Sequence, residues 1–336
     1  MVKNFDDLLA KIKTISRKKV AIAVAQDKAV LEAAKAAKER DIADAILVGD
    51  EAEIRAIGAE LGMNMDDFEI INVVDQAEAA TKAVSLVSEG KADIYMKGLL
   101  PTGMFLKSVL NKEVGLRTGK PLSHVCVIEV PKVDRVLFLS DVAFIPYPTL
   151  EEKKCIIEYT SDVARACGVE NPKAAVVCCT ETVNPKMPIT VEADELSKMQ
   201  DNGEIKDCIV EGPLSLDIAL FPAAAEEKGA MDRKVAGDAD ILIFPDLHAG
   251  NLVYKCMTQV VENMKNGCIL TGTKAPVVLT SRADTFETKV YNAIKDIADQ
   301  RGYQLVLDRA SDQGIIYGSP KIDISSEVLR KLGYSN

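Results

Sequence analysis

Residues Ala239 to Lys255 read Ala-Asp-Ile-Leu-Ile-Phe-Pro-Asp-Leu-His-Ala-Gly-Asn-Leu-Val-Tyr-Lys, an apolar run that stops at a proline, turns, and opens a helical pattern. A buried strand feeding a helix start leaves unbonded backbone N–H groups and the positive end of a dipole in one cleft, which is how α/β proteins hold phosphate groups. Leu252, Val253, Cys256, Met257, Val260, Val261 and Met264 share one face at helical spacing. The turn carries Asp246 and Gly250, Asn251 is a natural N-cap, and Lys255 falls in the first turns.

Three further polar segments follow apolar runs, and in an open parallel sheet the carboxyl edge of the strands is where ligands sit. In Met96-Lys-Gly-Leu-Leu-Pro-Thr-Gly103, Lys97 ends a strand, Thr102 starts a helix and Lys107 lies one turn in. In Glu211-Gly-Pro-Leu-Ser-Leu-Asp217, Asp217 enters the first turn of the next helix, where a carboxylate favours the dipole whatever else it does. In Thr280-Ser-Arg-Ala-Asp-Thr-Phe-Glu287, Asp284 and Glu287 have capping-box spacing. Ser281 and Arg282 are left over, a hydroxyl and a cation whose planar fork donates two hydrogen bonds to a phosphate at once. No G-x-S-x-G elbow, Walker pattern or G-x-G-x-x-G occurs, so acyl-enzyme chemistry, ATP and NAD(P) find no local support.

The elements that must position these groups alternate. Strand-like runs at 19–25, 45–48, 70–74, 92–96, 125–130, 136–139, 174–179, 208–210, 239–244 and 277–280 are interleaved with amphipathic helices, as at 28–37. That rhythm predicts βαβ units and a mainly parallel sheet covered on both faces, an α/β fold. Prolines and aromatics at Asp141–Thr149 interrupt it, and a second crossing is expected near Gly267–Pro276. The expected division is a first α/β domain of residues 1–143 plus 272–296, a second of 144–271, and a C-terminal extension of 297–336.

Composition narrows the partners. A chain of 336 residues, 48% hydrophobic, supports two moderate cores. A net charge of −10 argues against nucleic acid or an anionic membrane as partner, and 5% aromatic content without Trp removes the platforms of a single-strand binder. A polar N-terminus without an apolar leader suggests a cytoplasmic protein. The eight cysteines lack C-x-x-C spacing and read as reduced core residues, with Cys178 and Cys179 on opposite faces of a strand. With two histidines and no Cys/His/carboxylate cluster, no metal site is expected.

Taken together, Lys97-Gly98 with Thr102, Ser140-Asp141 through Pro148-Thr149, Glu211–Asp217, Phe244-Pro-Asp-Leu-His-Ala-Gly-Asn251 with Tyr254-Lys255, and Val278–Asp284 resemble the phosphate acyltransferase family, the phosphate acetyltransferases and butyryltransferases. Compact length and Leu279-Thr-Ser-Arg-Ala-Asp284 resemble the butyryl branch. The resemblance implies two doubly wound α/β domains with a cleft between them, an architecture like that of isocitrate and isopropylmalate dehydrogenases. It implies exchange of an acyl group, butyryl above all, between coenzyme A and phosphate in a ternary complex, with both as substrates and no cofactor. A homo-oligomer and supply of acyl phosphate to a partner kinase are implied as well.

On that pattern Arg282 holds phosphate, Ser281 hydrogen-bonds the oxyanion, and Asn251 with its helix start adds donors. Lys97, Thr102, Lys107, Asp217, Asp246, Gly250 and Lys255 complete a substrate-binding set. Two positions depart from the acetyl branch. Its general base would fall at Thr288, leaving Asp284 and Glu287 as the nearby carboxylates, and Lys107 stands where that branch uses an arginine. The segments from Gly302 onward are similar instead to the end of OmpH-type chaperones. Two other readings stay open: an acyl-CoA sensor of the same fold that does not turn over, and a metal-dependent NAD(P) dehydrogenase of related fold, although the aspartate cluster that needs is missing.

Overall fold

The computed structural model describes residues 2–14 and 16–279. Its first half contains α1 (Phe5–Ile12), β1 (Lys18–Ala23), α2 (Lys28–Glu39), β2 (Ala43–Gly49), α3 (Glu51–Glu60), β3 (Glu69–Asn72), α4 (Gln76–Ser88), β4 (Ile94–Lys97), α5 (Thr102–Val109), β5 (Ser123–Glu129) and β6 (Leu137–Ser140). Then come α6 (Leu150–Cys167), β7 (Lys173–Val177), α7 (Pro188–Asp201), β8 (Ile209–Leu214), α8 (Leu216–Leu220), α9 (Pro222–Glu227), β9 (Ile241–Ile243), α10 (Leu247–Val260), β10 (Lys265–Thr271) and β11 (Val277–Val278).

Local chemistry sets most of these boundaries. Three successive strand-to-helix turns use an aspartate cap: Asp27, Asp50 and Asp75 accept N–H bonds from the first turns of α2, α3 and α4. At α6, Thr149 and Glu152 form a reciprocal capping box, and Gly168, at φ 107°, ends the helix in the left-handed region.

All eleven strands of the described residues join one sheet, ordered β3-β2-β1-β4-β11-β10-β5-β6-β9-β7-β8. The β3-β2-β1-β4-β11 block is parallel throughout, and so is β6-β9-β7-β8. Between them β10 and β5 pair antiparallel with each other and with β11 and β6. Strand alternation feeds helices on both faces. Ala21 and Ala23 pack with α4 and α5, while Ile22 faces Leu31 and Ile54 of α2 and α3. In the other block Ile241 and Ile243 meet α6 and α7, while Leu242 faces Tyr254 of α10. β1 and β9 are therefore apolar in both directions, as a doubly covered sheet requires.

Three expectations need correction. First, β10 is absent from the sequence reading, which puts only a crossing there: Lys265-Asn-Gly-Cys-Ile-Leu-Thr271 begins polar and contains a glycine, so its strand character comes from two flanking partners. Second, the polar loops do not share one edge. β4 runs opposite to β8 and β9, because β10 and β5 contribute antiparallel steps between the blocks. Third, only Cys126 and Cys208 of the eight cysteines are buried; Cys179 and Cys256 are exposed, and Cys178 and Cys179 follow the end of β7. Among the described residues no helix is long and apolar enough to cross a membrane.

Candidate active site

The Lys97 region is built on Tyr95. Its ring is fully buried and stacks on Phe105 at 4.6 Å, and its hydroxyl meets Ser108 Oγ at 2.8 Å and Ala80 O at 3.2 Å. These contacts fasten α5 to β4. The chain then crosses the end of β1, where Gly98 and Leu99 donate to Ala23 O and Val24 O. A Cβ on Gly98 would lie 2.3 Å from Val24 O, so only glycine permits that approach. Lys97 ends β4 almost wholly buried, its ammonium 3.3 Å from Gly98 O.

Thr102 is the first residue of α5 but does not cap it. Pro101 stands at the N-cap, and no side chain bonds the first turn. Met104 and Phe105 donate back to Pro101 O, whereas Thr102 and Gly103 are exposed and a Cβ on Gly103 would meet nothing within 4 Å. Lys107 is exposed one turn further on. An open helix start with a nearby cation can receive an anion.

The Asp246 region is different. Helix α10 begins at Leu247 and is capped by Asp246, whose Oδ1 accepts from Ala249 N at 2.9 Å. Asn251 is therefore not the N-cap that spacing suggests. Asp246 follows Pro245, in the extended backbone a cap needs, and so starts the helix earlier. Asn251 lies in the second turn, and its Nδ2 donates to Val142 O at 2.9 Å. Gly250 is buried against the same loop, where a Cβ would come within 2.3 Å of Asp141 O. Asp141 organises that loop, accepting from the N–H groups of Ala143, Phe144 and Ile145 at 2.8–3.1 Å. Burial raises its pKa despite those bonds. Phe144 of this loop packs against the core cluster that holds Leu100 and Phe105, so a loop from the second block reaches the first. Lys255 is exposed on α10, its ammonium 5.5 Å from the Tyr254 ring centre.

At β8 the polar groups are largely paired. Glu211 accepts from Arg233 Nε at 2.7 Å and from Val235 N at 2.8 Å. Asp217 enters the first turn of α8 and pairs with Lys228 at 2.8 Å, which holds its carboxyl down near 2, with Ser215 helping. Ser215 also donates to Glu181. Leu216 and Asp246 line one largely apolar cavity of ≈ 570 Å³ with Val177, Phe244 and Ala249. Sequence reasoning missed Arg233 and Glu181, whose partners lie 20 to 52 residues away. The Asp141 loop had a local signal, an aspartate followed by backbone donors two to four residues on.

Ser281, Arg282, Asp284 and Glu287 lie outside the described residues. Among the described residues no three His, Cys, Asp or Glu side chains gather as metal ligands.

The model of a family described as "Phosphate acetyl/butaryl transferase" matches residues 4–82 and 73–295, and that of an "Outer membrane protein (OmpH-like)" family matches 279–332. A phosphate butyryltransferase of Clostridium acetobutylicum is 57% identical over 290 residues, 86% of this chain and 96% of that protein. A phosphate acetyltransferase of Thermotoga maritima is 45% identical over 275 residues, 82% of this chain and 92% of its own. The crystal structure of a branched-chain phosphotransacylase from Enterococcus faecalis superposes with a TM-score of 0.70 at 35% identity, covering 80% of this chain and 93% of that one. With two parallel blocks, the polar turns at β4, β8 and β9, and a family match over most of its length, the chain belongs to the phosphate acetyl/butyryl transferase family.

Proposed function

We propose that this protein transfers a short-chain acyl group, preferentially butyryl, between coenzyme A and inorganic phosphate. The observation that carries this is the 57% identity to a phosphate butyryltransferase over nearly its whole length. In the forward direction a phosphate oxygen attacks the thioester carbonyl, the tetrahedral oxyanion collapses, the C–S bond breaks, and coenzyme A leaves as thiolate. The reverse reaction needs a base for the thiol proton, and Glu287 or Asp284 takes that part. Such a site must hold two anions together and stabilise the oxyanion. Arg282 grips the phosphate and Ser281 bonds the oxyanion, with no cofactor. The open start of α5 at Thr102, with Lys97 and Lys107, supplies further positive character, and Lys255 and Asp217 complete the substrate contacts. Asp246, Gly250 and Asn251 act by holding α10 against the Asp141 loop.

The enzyme works in the cytoplasm as a homo-oligomer; Leu252 and Val260 on α10, exposed at 70% and 72%, support self-association through that helix. Thiol release from acyl-CoAs ranging from acetyl to branched five-carbon chains, with phosphate, tests the reading. Butyryl-CoA should give the highest kcat/KM, with turnover persisting in EDTA and without NAD. A chain that binds coenzyme A but releases no thiol overturns the proposal. Arg282→Ala should raise the phosphate KM steeply, and an unchanged value removes that residue from its role.

A further inference from the structure

The antiparallel seam between the two parallel blocks holds a feature the transfer reaction does not use. Cys126 on β5 and Cys268 on β10 are direct cross-strand partners, and their sulfurs are 3.4 Å apart. Opposite residues of an antiparallel pair have Cα atoms roughly 4.5–5.5 Å apart, inside the range that a disulfide spans. Rotation of the two thiols can therefore close the bond without moving the strands. Cys126 is fully buried, while Cys268 keeps partial exposure. His124 sits two residues before Cys126 on the same face of β5, is buried, and has no partner for Nδ1 among the described residues. From α10 the Tyr254 hydroxyl comes within 3.8 Å of Cys268 Sγ.

We propose that Cys126 and Cys268 form a peroxide-reactive dithiol, in which Cys268 is oxidised first and Cys126 resolves it to a disulfide that staples β5 to β10. The Cys268 thiol gives its proton to His124, and the thiolate attacks one oxygen of hydrogen peroxide. An S–O bond forms, the O–O bond breaks, and the departing hydroxide takes the proton back from His124 to leave as water. Cys126 sulfur then attacks the sulfenic sulfur, the S–S bond forms, the S–O bond breaks, and the hydroxide leaves with the Cys126 proton as a second water. Two thiols and one peroxide become one disulfide and two waters. A hydrogen bond with Cys126, then contacts with His124 and Tyr254, lower the Cys268 pKa against the cost of burial, which favours Cys268 as the attacking sulfur.

The experiment exposes the folded full chain to hydrogen peroxide, denatures it in an alkylating agent, and maps the peptides. Two of the eight thiols should escape alkylation, in one linked peptide joining Cys126 to Cys268 that a dithiol reductant releases. Cys126→Ala should leave Cys268 as a sulfenic acid captured by dimedone, and His124→Gln should slow bridging several-fold with the same end product. Both peptides recovered fully alkylated from the treated wild type overturn the proposal, as does a bridge formed between other cysteines. The wild-type map decides the matter even if a variant fails to fold.

Discussion

The starts of α10 and α5 share a motif grammar, a strand, a proline-containing turn and a helix, and differ in where their polar groups point. At α10 Asp246 spends its carboxylate on the cap, Asn251 bonds Val142 O, and Gly250 is pressed against Asp141 O. At α5 no side chain caps the first turn, and Thr102, Gly103 and Lys107 are exposed. The string Pro-Asp-Leu-His-Ala-Gly-Asn, the most distinctive in the sequence, thus ties its helix to the Asp141 loop, and the plainer Leu-Leu-Pro-Thr-Gly string leaves its first turn without a side-chain cap. A residue pattern can be demanding because backbone must approach backbone, as Gly250 approaches Asp141 O.

Gly250→Ala attacks the α10 side most directly. A Cβ 2.3 Å from a backbone oxygen has no flexible neighbour to displace, so unfolding by denaturant should show a loss of about 1–3 kcal/mol. A wild-type midpoint would mean that the two segments separate easily. Asn251→Ala removes one hydrogen bond and orphans the Val142 carbonyl, for about 1 kcal/mol in the same measurement. Turnover should fall with it through displacement of the loop.

On the α5 side the pattern reverses. Lys107→Ala should leave stability within about 0.5 kcal/mol, since the side chain is exposed, yet raise the KM for phosphate or acyl-CoA about fivefold, ~1 kcal/mol of binding. Equal KM values with lowered stability would invert the contrast. The smallest effect belongs to Asp217→Asn. Lys228 lowers the Asp217 pKa from 3.8 to about 2, so the carboxylate favours the folded state above pH 3.8 and that advantage is lost as pH falls through about 2. Both side chains are half-exposed, so solvent screens the pair and the difference at pH 7 is small. Thermal melts of both proteins across that window check the sign.

Local chemistry made much of this protein readable in one dimension. The strand–helix rhythm, the α/β class and α2 all rest on side-chain period and on groups within a few residues of one another. The family likewise shows in short strings, each a turn whose residues are neighbours in the chain. Tertiary structure decided the rest. Asp246 took the cap from Asn251, and Asn251 was then bound to a carbonyl 109 residues away. β10 became a strand because β5 and β11 supplied its partners, which brought Cys126 beside Cys268, and the three antiparallel steps from β11 through β10 and β5 to β6 set β4 against β9. A periodic pattern encodes what one segment buries; strand direction, register and the choice among competing hydrogen-bond partners depend on which distant segment arrives beside it.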